Sequence, residues 1–242
     1  MRTALVTGAS RGLGLETSNQ LEKRGYRVLR ASRRGDWVLD VTDDASVAEL
    51  ARRLRAEAVS LDLLVNNAGI SMKGFDERVA RGTLDTNFFG PLRVTDALLP
   101  TMPDGAHVVM VSSGMGAIDV IPSRDLRERI MDPALSRDAL VALMRSFVDD
   151  VAKGTHAKRG WPSSAYSVSK VGLNALVRVL ARDLLPRHVR VNAVCPGWVK
   201  TDMGGRHAER EVSEGAASIV AIAAPETGPT GGFFRDGRAI PW

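Results

Sequence analysis

Tyr166 and Lys170 stand one helical turn apart in the stretch Tyr166-Ser167-Val168-Ser169-Lys170. Around them apolar residues recur at Val168, Val171, Leu173, Leu176, Val177, Leu180, Leu184 and Leu185, a spacing that predicts a helix over Ser164 to Leu185. On such a helix the two side chains share a face. A free phenol titrates near ~10 and is a poor acid or base at neutral pH. A fixed ammonium one turn away favours the phenolate and is expected to lower that pKa. A tyrosine so tuned can exchange a proton with a substrate oxygen. The same spacing also describes two ordinary surface neighbours, so the rest of the chain has to decide between the readings.

The elements that would position this pair alternate along the chain. Thr3 to Thr7 is a short apolar, β-rich run that reads as a buried strand and stops at Gly8. Gly8-Ala9-Ser10-Arg11-Gly12-Leu13-Gly14 follows, then a helical pattern from Leu15 to Lys23. Strand, glycine turn and helix N-terminus form a setting in which backbone N–H groups can hold a pyrophosphate. The G-x-x-x-G-x-G spacing differs from the G-x-G-x-x-G dinucleotide fingerprint, and an ordinary Gly-rich turn is the competing reading.

Tyr26 to Ala31 is a second strand. An NAD-selective site would end it with an acidic residue. Here Ser32-Arg33-Arg34 follows, and with Arg11 these guanidiniums suit a 2′-phosphate, favouring NADP. Trp37 to Asp40 reads as a third strand. Asp43 is the expected cap of a helix from Ala45 to about Ala56, and Asp40 is a candidate partner for the adenine amine. Leu61 to Val65 is a fourth strand, closed by Asn66-Asn67-Ala68-Gly69. The alternation means parallel βαβ units.

A helix is expected from about Asp76 to Leu99, kinked near Asn87 because Pro91 interrupts it. His107 to Val111 is a fifth strand ending in Ser112-Ser113. Gly114 to Pro162 holds two helical patterns, Arg124 to Met131 and Arg137 to Lys153, and reads as an insertion packed near the site. Val189 to Val194 is a sixth strand, Val212 to Ala223 a last helix and Gly232 to Phe234 a seventh strand. In a parallel sheet ligands lie beyond the carboxyl ends of the strands. Gly8, Asn66 to Gly69 and Ser112-Ser113 all fall at such ends. The fold class expected is α/β, a doubly wound parallel sheet of about seven strands in one domain spanning residues 1–242, with no repeat and no internal boundary.

Composition excludes several classes. The chain has 242 residues, 44% hydrophobic and 25% charged, enough for a sizeable core. Its single cysteine, Cys195, leaves no internal disulfide, and no Cys/His cluster suggests a metal. No apolar run approaches the ~18 residues a membrane span needs, and the N-terminal run meets a glycine too soon for a signal peptide. A cytoplasmic protein is expected. Net charge is +5 and the sequence pI near 9.8. The arginines are scattered beside Asp or Glu and aromatics are few, so a solvated surface is favoured over nucleic-acid binding.

Together, Thr7 to Gly14, Asn66-Asn67-Ala68-Gly69, Asn87, Ser113, Tyr166 to Lys170 and Pro196-Gly197 make the whole chain resemble the short-chain dehydrogenase/reductase family. Within it the chain is most similar to the monomeric NADPH-dependent carbonyl reductases, which share a helical insertion before the tyrosine and stretches like Gly160 to Tyr166 and Cys195 to Met203. The resemblance implies a Rossmann fold and hydride transfer from NADP(H) to a small aldehyde, ketone or quinone, or the reverse from an alcohol. It implies Tyr166 as acid/base, Lys170 on the nicotinamide ribose, Ser113 on the substrate oxygen and Asn87 holding a relay water. It implies cofactor contacts at Gly8, Ser10, Arg11, Gly12, Leu13, Gly14, Arg33, Arg34, Asp40, Val41, Asn67, Ala68, Gly69, Tyr166, Lys170, Pro196, Gly197, Val199 and Thr201, and no metal. The usual helix between the second and third strands is missing, which opens the adenine side. The insertion is expected to cover the surface that family dimers and tetramers use, giving a monomer. A non-catalytic NADP-binding redox sensor or scaffold is the alternative.

The other candidates are weaker. The four histidines, His107, His156, His188 and His207, read as strand-edge or surface residues rather than catalytic ones. Ser113 lacks the G-x-S-x-G elbow of a hydrolase. Cys195 reads as a packed residue rather than a redox switch. Trp161 and Trp198 fit either the substrate pocket or the core, and Met115 and Met203 either pocket shaping or gap filling.

Overall fold

The computed structural model describes residues 1–242. One eight-stranded sheet runs through it, in the order β3-β2-β1-β4-β5-β6-β7-β8. The strands are β1 (Thr3–Thr7), β2 (Arg27–Ser32), β3 (Trp37–Val38), β4 (Leu63–Asn66), β5 (His107–Val111), β6 (Arg190–Val194), β7 (Phe233–Arg235) and β8 (Arg238–Ala239). All pairings are parallel except β7 with β8. The order reverses direction between β1 and β4, the crevice where open α/β sheets bind ligands. The antiparallel β8 is an addition to the seven strands expected. Its two residues, split from β7 by Asp236-Gly237, are too short to show a hydrophobic period.

Alternation along the strands sorts the core into two layers. Ala4, Val6, Leu63, Val65, Val109, Val111 and Val194 pack under α1 (Gly12–Glu22) and α8 (Val212–Ala223). Leu5, Leu64, Val108, Met110, Val191 and Ala193 face the opposite layer, built of α2 (Asp44–Ala56), α3 (Glu77–Leu84), α4 (Gly90–Leu98) and α7 (Ala165–Asp183). Helix starts are locally encoded. Asp43, Asp76 and Ser164 each accept a hydrogen bond from a first-turn N–H, as N-caps do.

The expected kink takes a specific form. Between α3 and α4 the chain makes one π turn, Asp85–Phe89, and the Gly90 N–H reaches the Asp85 carbonyl. Pro91 has no N–H to give to the Asn87 carbonyl, so the α ladder breaks there. The insertion contains α5 (Arg124–Met131) and α6 (Arg137–Ala152), and α6 packs against both α3 and α7. Trp161 is 3% exposed and meets Phe147 edge-on at 5.4 Å, so it belongs to the core and not to the pocket. The β2–β3 link is only residues 33–36, with Trp37 covered by the Arg53 guanidinium at 4.0 Å, and no helix intervenes.

His107 departs from expectation. It is 2% exposed, inside the sheet, with Nε2 3.1 Å from the Asn192 amide nitrogen. Burial drives its pKa down to about 3, so the ring is neutral. The strand's apolar pattern runs straight through it because a neutral imidazole with a polar partner fits a core position.

Candidate active site

The glycine turn after β1 is shaped for close approach. Gly8 has φ +66°, and a Cβ on Gly14 would stand 2.5 Å from both the Asn67 amide nitrogen and the Gly8 carbonyl oxygen. Only glycine permits that packing of helix against strand end. The Thr7 hydroxyl accepts from the Asn67 and Ala68 N–H groups at 3.0 and 2.9 Å, and the Asn67 side chain donates to the Thr7 carbonyl at 2.8 Å. The first-turn N–H groups of Gly12, Leu13 and Gly14 bond nothing in the chain, and α1 has neither a capping side chain nor an acidic residue there. Such an end presents unpaired donors and a partial positive charge to an anion.

The loop after β6 folds over this cradle. The methyl of Thr201 stands 3.6 Å from where a Cβ on Gly12 would be, and a Cβ on Gly215 would meet both Val199 and Leu13. Gly197 turns the chain at φ +84°. Arg11 reaches across to pair with Asp202, closing the turn against the loop. Of the three arginines expected to converge, Arg11 makes an exposed pair with Asp202, while Arg33 and Arg34 stay exposed and form no ion pair. Asp40 accepts from the Thr42 hydroxyl and N–H at 2.7 and 3.0 Å, and those bonds hold its carboxyl below the usual range. It stays ionised, and its acceptor sites are partly taken. The Val41 side chain is buried, with its Cγ2 2.9 Å from where a Cβ on Gly90 would stand, which leaves only its backbone N–H, unpartnered in the chain, for a ligand.

At the carboxyl end of β5 the two serines part. Ser112 turns inward and donates to Asn174 at 2.6 Å, while Ser113 stays half-buried and accepts from the Met115 N–H at 3.2 Å. The Ser113 hydroxyl also lies near enough to the Tyr166 phenol to pull its pKa down. Gly116 is the contact that seats α7 here. A Cβ on it would come within 2.8 Å of the Lys170 backbone carbon.

Lys170 is 6% exposed and its Nζ donates to the Val111 carbonyl at 2.9 Å. Nζ lies 5.7 Å from the Tyr166 ring centroid. Burial lowers its pKa to about 8. Burial raises the Tyr166 pKa, against a smaller downward pull from the Ser113 hydroxyl. The downward pull expected of Lys170 is not among the influences on the phenol here, and burial is the largest. The ammonium is spent on a carbonyl, and desolvation of the phenolate is the larger effect.

Asn87, in the π turn, locks the loop after β4. Its amide oxygen accepts from the Ile70 N–H at 2.8 Å, and its nitrogen donates to the Ile70 carbonyl at 2.9 Å and the Ser169 hydroxyl at 3.1 Å. A Cβ on Gly69 would lie 3.3 Å from the Asn87 oxygen and 3.9 Å from the Lys170 ammonium. Asn87, Gly69 and Lys170 therefore meet. Trp198, Met115 and Met203 are exposed beside the site's loops, at 53%, 53% and 49%. Sequence reasoning missed the neighbours of Cys195. Its buried sulfur accepts from the Gly114 N–H at 3.2 Å and from Arg235 at 3.0 Å. The only signal was position, since Cys195 and Arg235 each sit just at the end of a parallel strand.

A glycine-lined switch-point crevice with a Ser–Tyr–Lys cluster at its β5 side defines a Rossmann-type dinucleotide-binding protein with a proton-handling site. Comparison with known proteins agrees. A short chain dehydrogenase family profile matches residues 36–123, and one described as enoyl-(acyl carrier protein) reductase matches residues 154–223. Carbonyl reductase (NADPH) 1 of Bos taurus is 37% identical over 99% of this chain and 98% of its own, and the Homo sapiens protein of that name is 38% identical over 100% and 99%. Salutaridine reductase from Papaver somniferum superposes with a TM-score of 0.89 at 29% identity, covering 97% of this chain and 99% of that one. The protein belongs to the short-chain dehydrogenase/reductase family. No helix is long and apolar enough to cross a membrane, and no group of three or more His, Cys, Asp or Glu could hold a metal.

Proposed function

We propose that the protein reduces the carbonyl group of a small aldehyde, ketone or quinone at the expense of NADPH. The observation that carries this reading is the nearness of the Ser113 hydroxyl to the Tyr166 phenol beside a buried Lys170, at the rim of a glycine cradle that a Cβ would fill. The near-full-length likeness to carbonyl reductases named for NADPH supports it. The cradle fits a dinucleotide. The free N–H groups of Gly12 to Gly14 and the Thr201 side chain suit the pyrophosphate, the exposed Arg33 and Arg34 suit a 2′-phosphate, and Asn67 to Gly69 line the way to Lys170. When bound, that cofactor supplies the hydride.

The chain's own residues handle the oxygen. A phenol whose pKa is raised keeps its proton at neutral pH, so Tyr166 is set as a donor to a substrate oxygen gaining negative charge. The Ser113 hydroxyl is aimed at the same place, so both donors meet the developing charge without rearranging. Lys170, with a pKa near 8, holds a labile proton next to Gly69 and Asn87. It is the residue proposed to bind the ribose and to return a proton toward Tyr166, while Asn87 fixes the loop that carries Gly69. Val199 and the Pro196-Gly197 turn hold the loop that closes over the cradle.

The test is NADPH oxidation, followed by absorbance, with a panel of aldehydes, diketones and quinones. Turnover by the wild type well above that of Tyr166→Phe is expected. Equal rates would leave the redox sensor or scaffold reading. We propose further that the protein is a monomer, because α6 packs across α3 and α7 and covers that helical face. Light scattering showing a stable dimer or tetramer would contradict this. A cytoplasmic site of action is part of the same proposal, to be checked by fractionation.

A further inference from the structure

Arg235 ends β7, one register step beyond the pairing of Val194 with Phe234. That places it on the same sheet edge as Ser113 and beside Cys195. Its guanidinium lies 3.0 Å from the position a Cβ on Gly114 would take, directly after Ser113 in the chain. Its one hydrogen bond goes to the Cys195 sulfur at 3.0 Å, a weak acceptor that leaves the other donors of the fork unused. No carboxylate pairs with it. The adjacent Asp236 bonds Arg210, at 2.7 and 3.2 Å, and feels Arg235 only through its charge. The interior of the site has no acidic group to offer either. No Asp or Glu acts on Tyr166 or on Lys170. An exposed arginine with unspent donors, set beside Gly114 and Cys195 at the edge of the Ser113 site, has the chemistry to receive a carboxylate.

We propose that this site prefers carbonyl substrates that themselves carry a carboxylate, oxo acids with an apolar body, and that Arg235 is the residue that selects them. Gly114, with no Cβ, leaves the space that the guanidinium occupies next to Ser113 in the chain. The exposed Met115 and Trp198 provide apolar surface on the neighbouring loops. The inference rests on the reductase reading and adds a substrate class to it.

The test compares an aryl oxo acid with its methyl ester, each reduced by the NADPH-loaded protein. Wild type is expected to favour the acid in kcat/KM. Arg235→Met should lower the acid-to-ester ratio ~10- to 100-fold, mostly through KM, the span that a hydrogen bond to a charged group supports. Arg235→Lys should keep part of the preference, since the charge remains and only the fork is lost. A ratio unchanged in Arg235→Met, or a wild type that prefers the ester, overturns the inference while the reductase reading stands on the ester's turnover. Absence of wild-type turnover on both compounds removes the reductase reading, and this inference with it.

Discussion

Lys170→Met should make the protein more stable at neutral pH while disabling the proposed proton path. Lys170 is buried, and that burial lowers its pKa from 10.5 to about 8. At ~1.4 kcal/mol per pH unit, holding that ammonium in the fold costs about 3 kcal/mol wherever both folded and unfolded chains are protonated, which is below about pH 8. Between about pH 8 and 10.5 the unfolded chain keeps a proton that the folded chain has released. Stability therefore rises with pH through that window, and the cost is gone above it. Methionine removes the charge but leaves the Val111 carbonyl without its 2.9 Å partner, a loss of ~1–2 kcal/mol. The net gain at pH 7 is ~1–2 kcal/mol, or ~2–8 °C in Tm at ~2–4 °C per kcal/mol for a chain of this size. Thermal unfolding followed by circular dichroism at pH 7, 8, 9 and 10 measures it. The advantage should shrink as pH rises and reverse by about pH 10, where most of the burial cost is gone and the unpaired carbonyl outweighs the rest. A variant melting below wild type at pH 7, or a gap that widens with pH, refutes the argument that burial sets this lysine's pKa.

Tyr166→Phe should lower kcat ~100- to 10,000-fold, the range for loss of a positioned general acid, with NADPH binding measured by fluorescence titration essentially kept. Gly14→Ala forces a Cβ to 2.5 Å from the Gly8 carbonyl oxygen. Overpacking of that kind costs ~1–3 kcal/mol, and both a lower Tm and a raised Kd for NADPH are expected from calorimetry. Replacing Arg33 and Arg34 together by alanine should cut the NADPH-over-NADH preference in kcat/KM by more than about 100-fold, if each contributes a charged hydrogen bond of ~1.5 kcal/mol. An unchanged preference would move recognition of the 2′-phosphate away from this pair.

Much of the architecture was legible because each element carries its own local signal. Asp43, Asp76 and Ser164 announce helix starts by a side chain that caps its own first turn. α5 and α8 begin and end where the apolar spacing put them. Pro91 announced a break, though not that it would be a π turn, because that choice depends on how Asn87 is gripped by Ile70 and Ser169. The failures are all non-local. β8 exists only because β7 is there to pair with it. His107 is a core residue because Asn192, on the next strand, supplies a partner. The Arg11–Asp202 bridge joins residues that no sequence period connects.

The site repeats that division and adds one physical lesson. Which residues gather could be read from strand ends, since Gly8, Asn67, Ser113 and Cys195 each follow a parallel strand and must lie on one edge. What those residues do to one another could not. From spacing alone, Lys170 is a cation that makes the Tyr166 phenol more acidic. In the fold both groups are desolvated, and burial moves a phenol up and an ammonium down. The order of proton loss is then the opposite of the one a solvent-exposed helix would give, with Lys170 releasing first and Tyr166 holding on. For the acid role proposed for Tyr166, that order is the useful one. Gly116, whose missing Cβ lets the Lys170 backbone approach to within 2.8 Å of where that Cβ would stand, helps α7 seat Lys170 in its buried position.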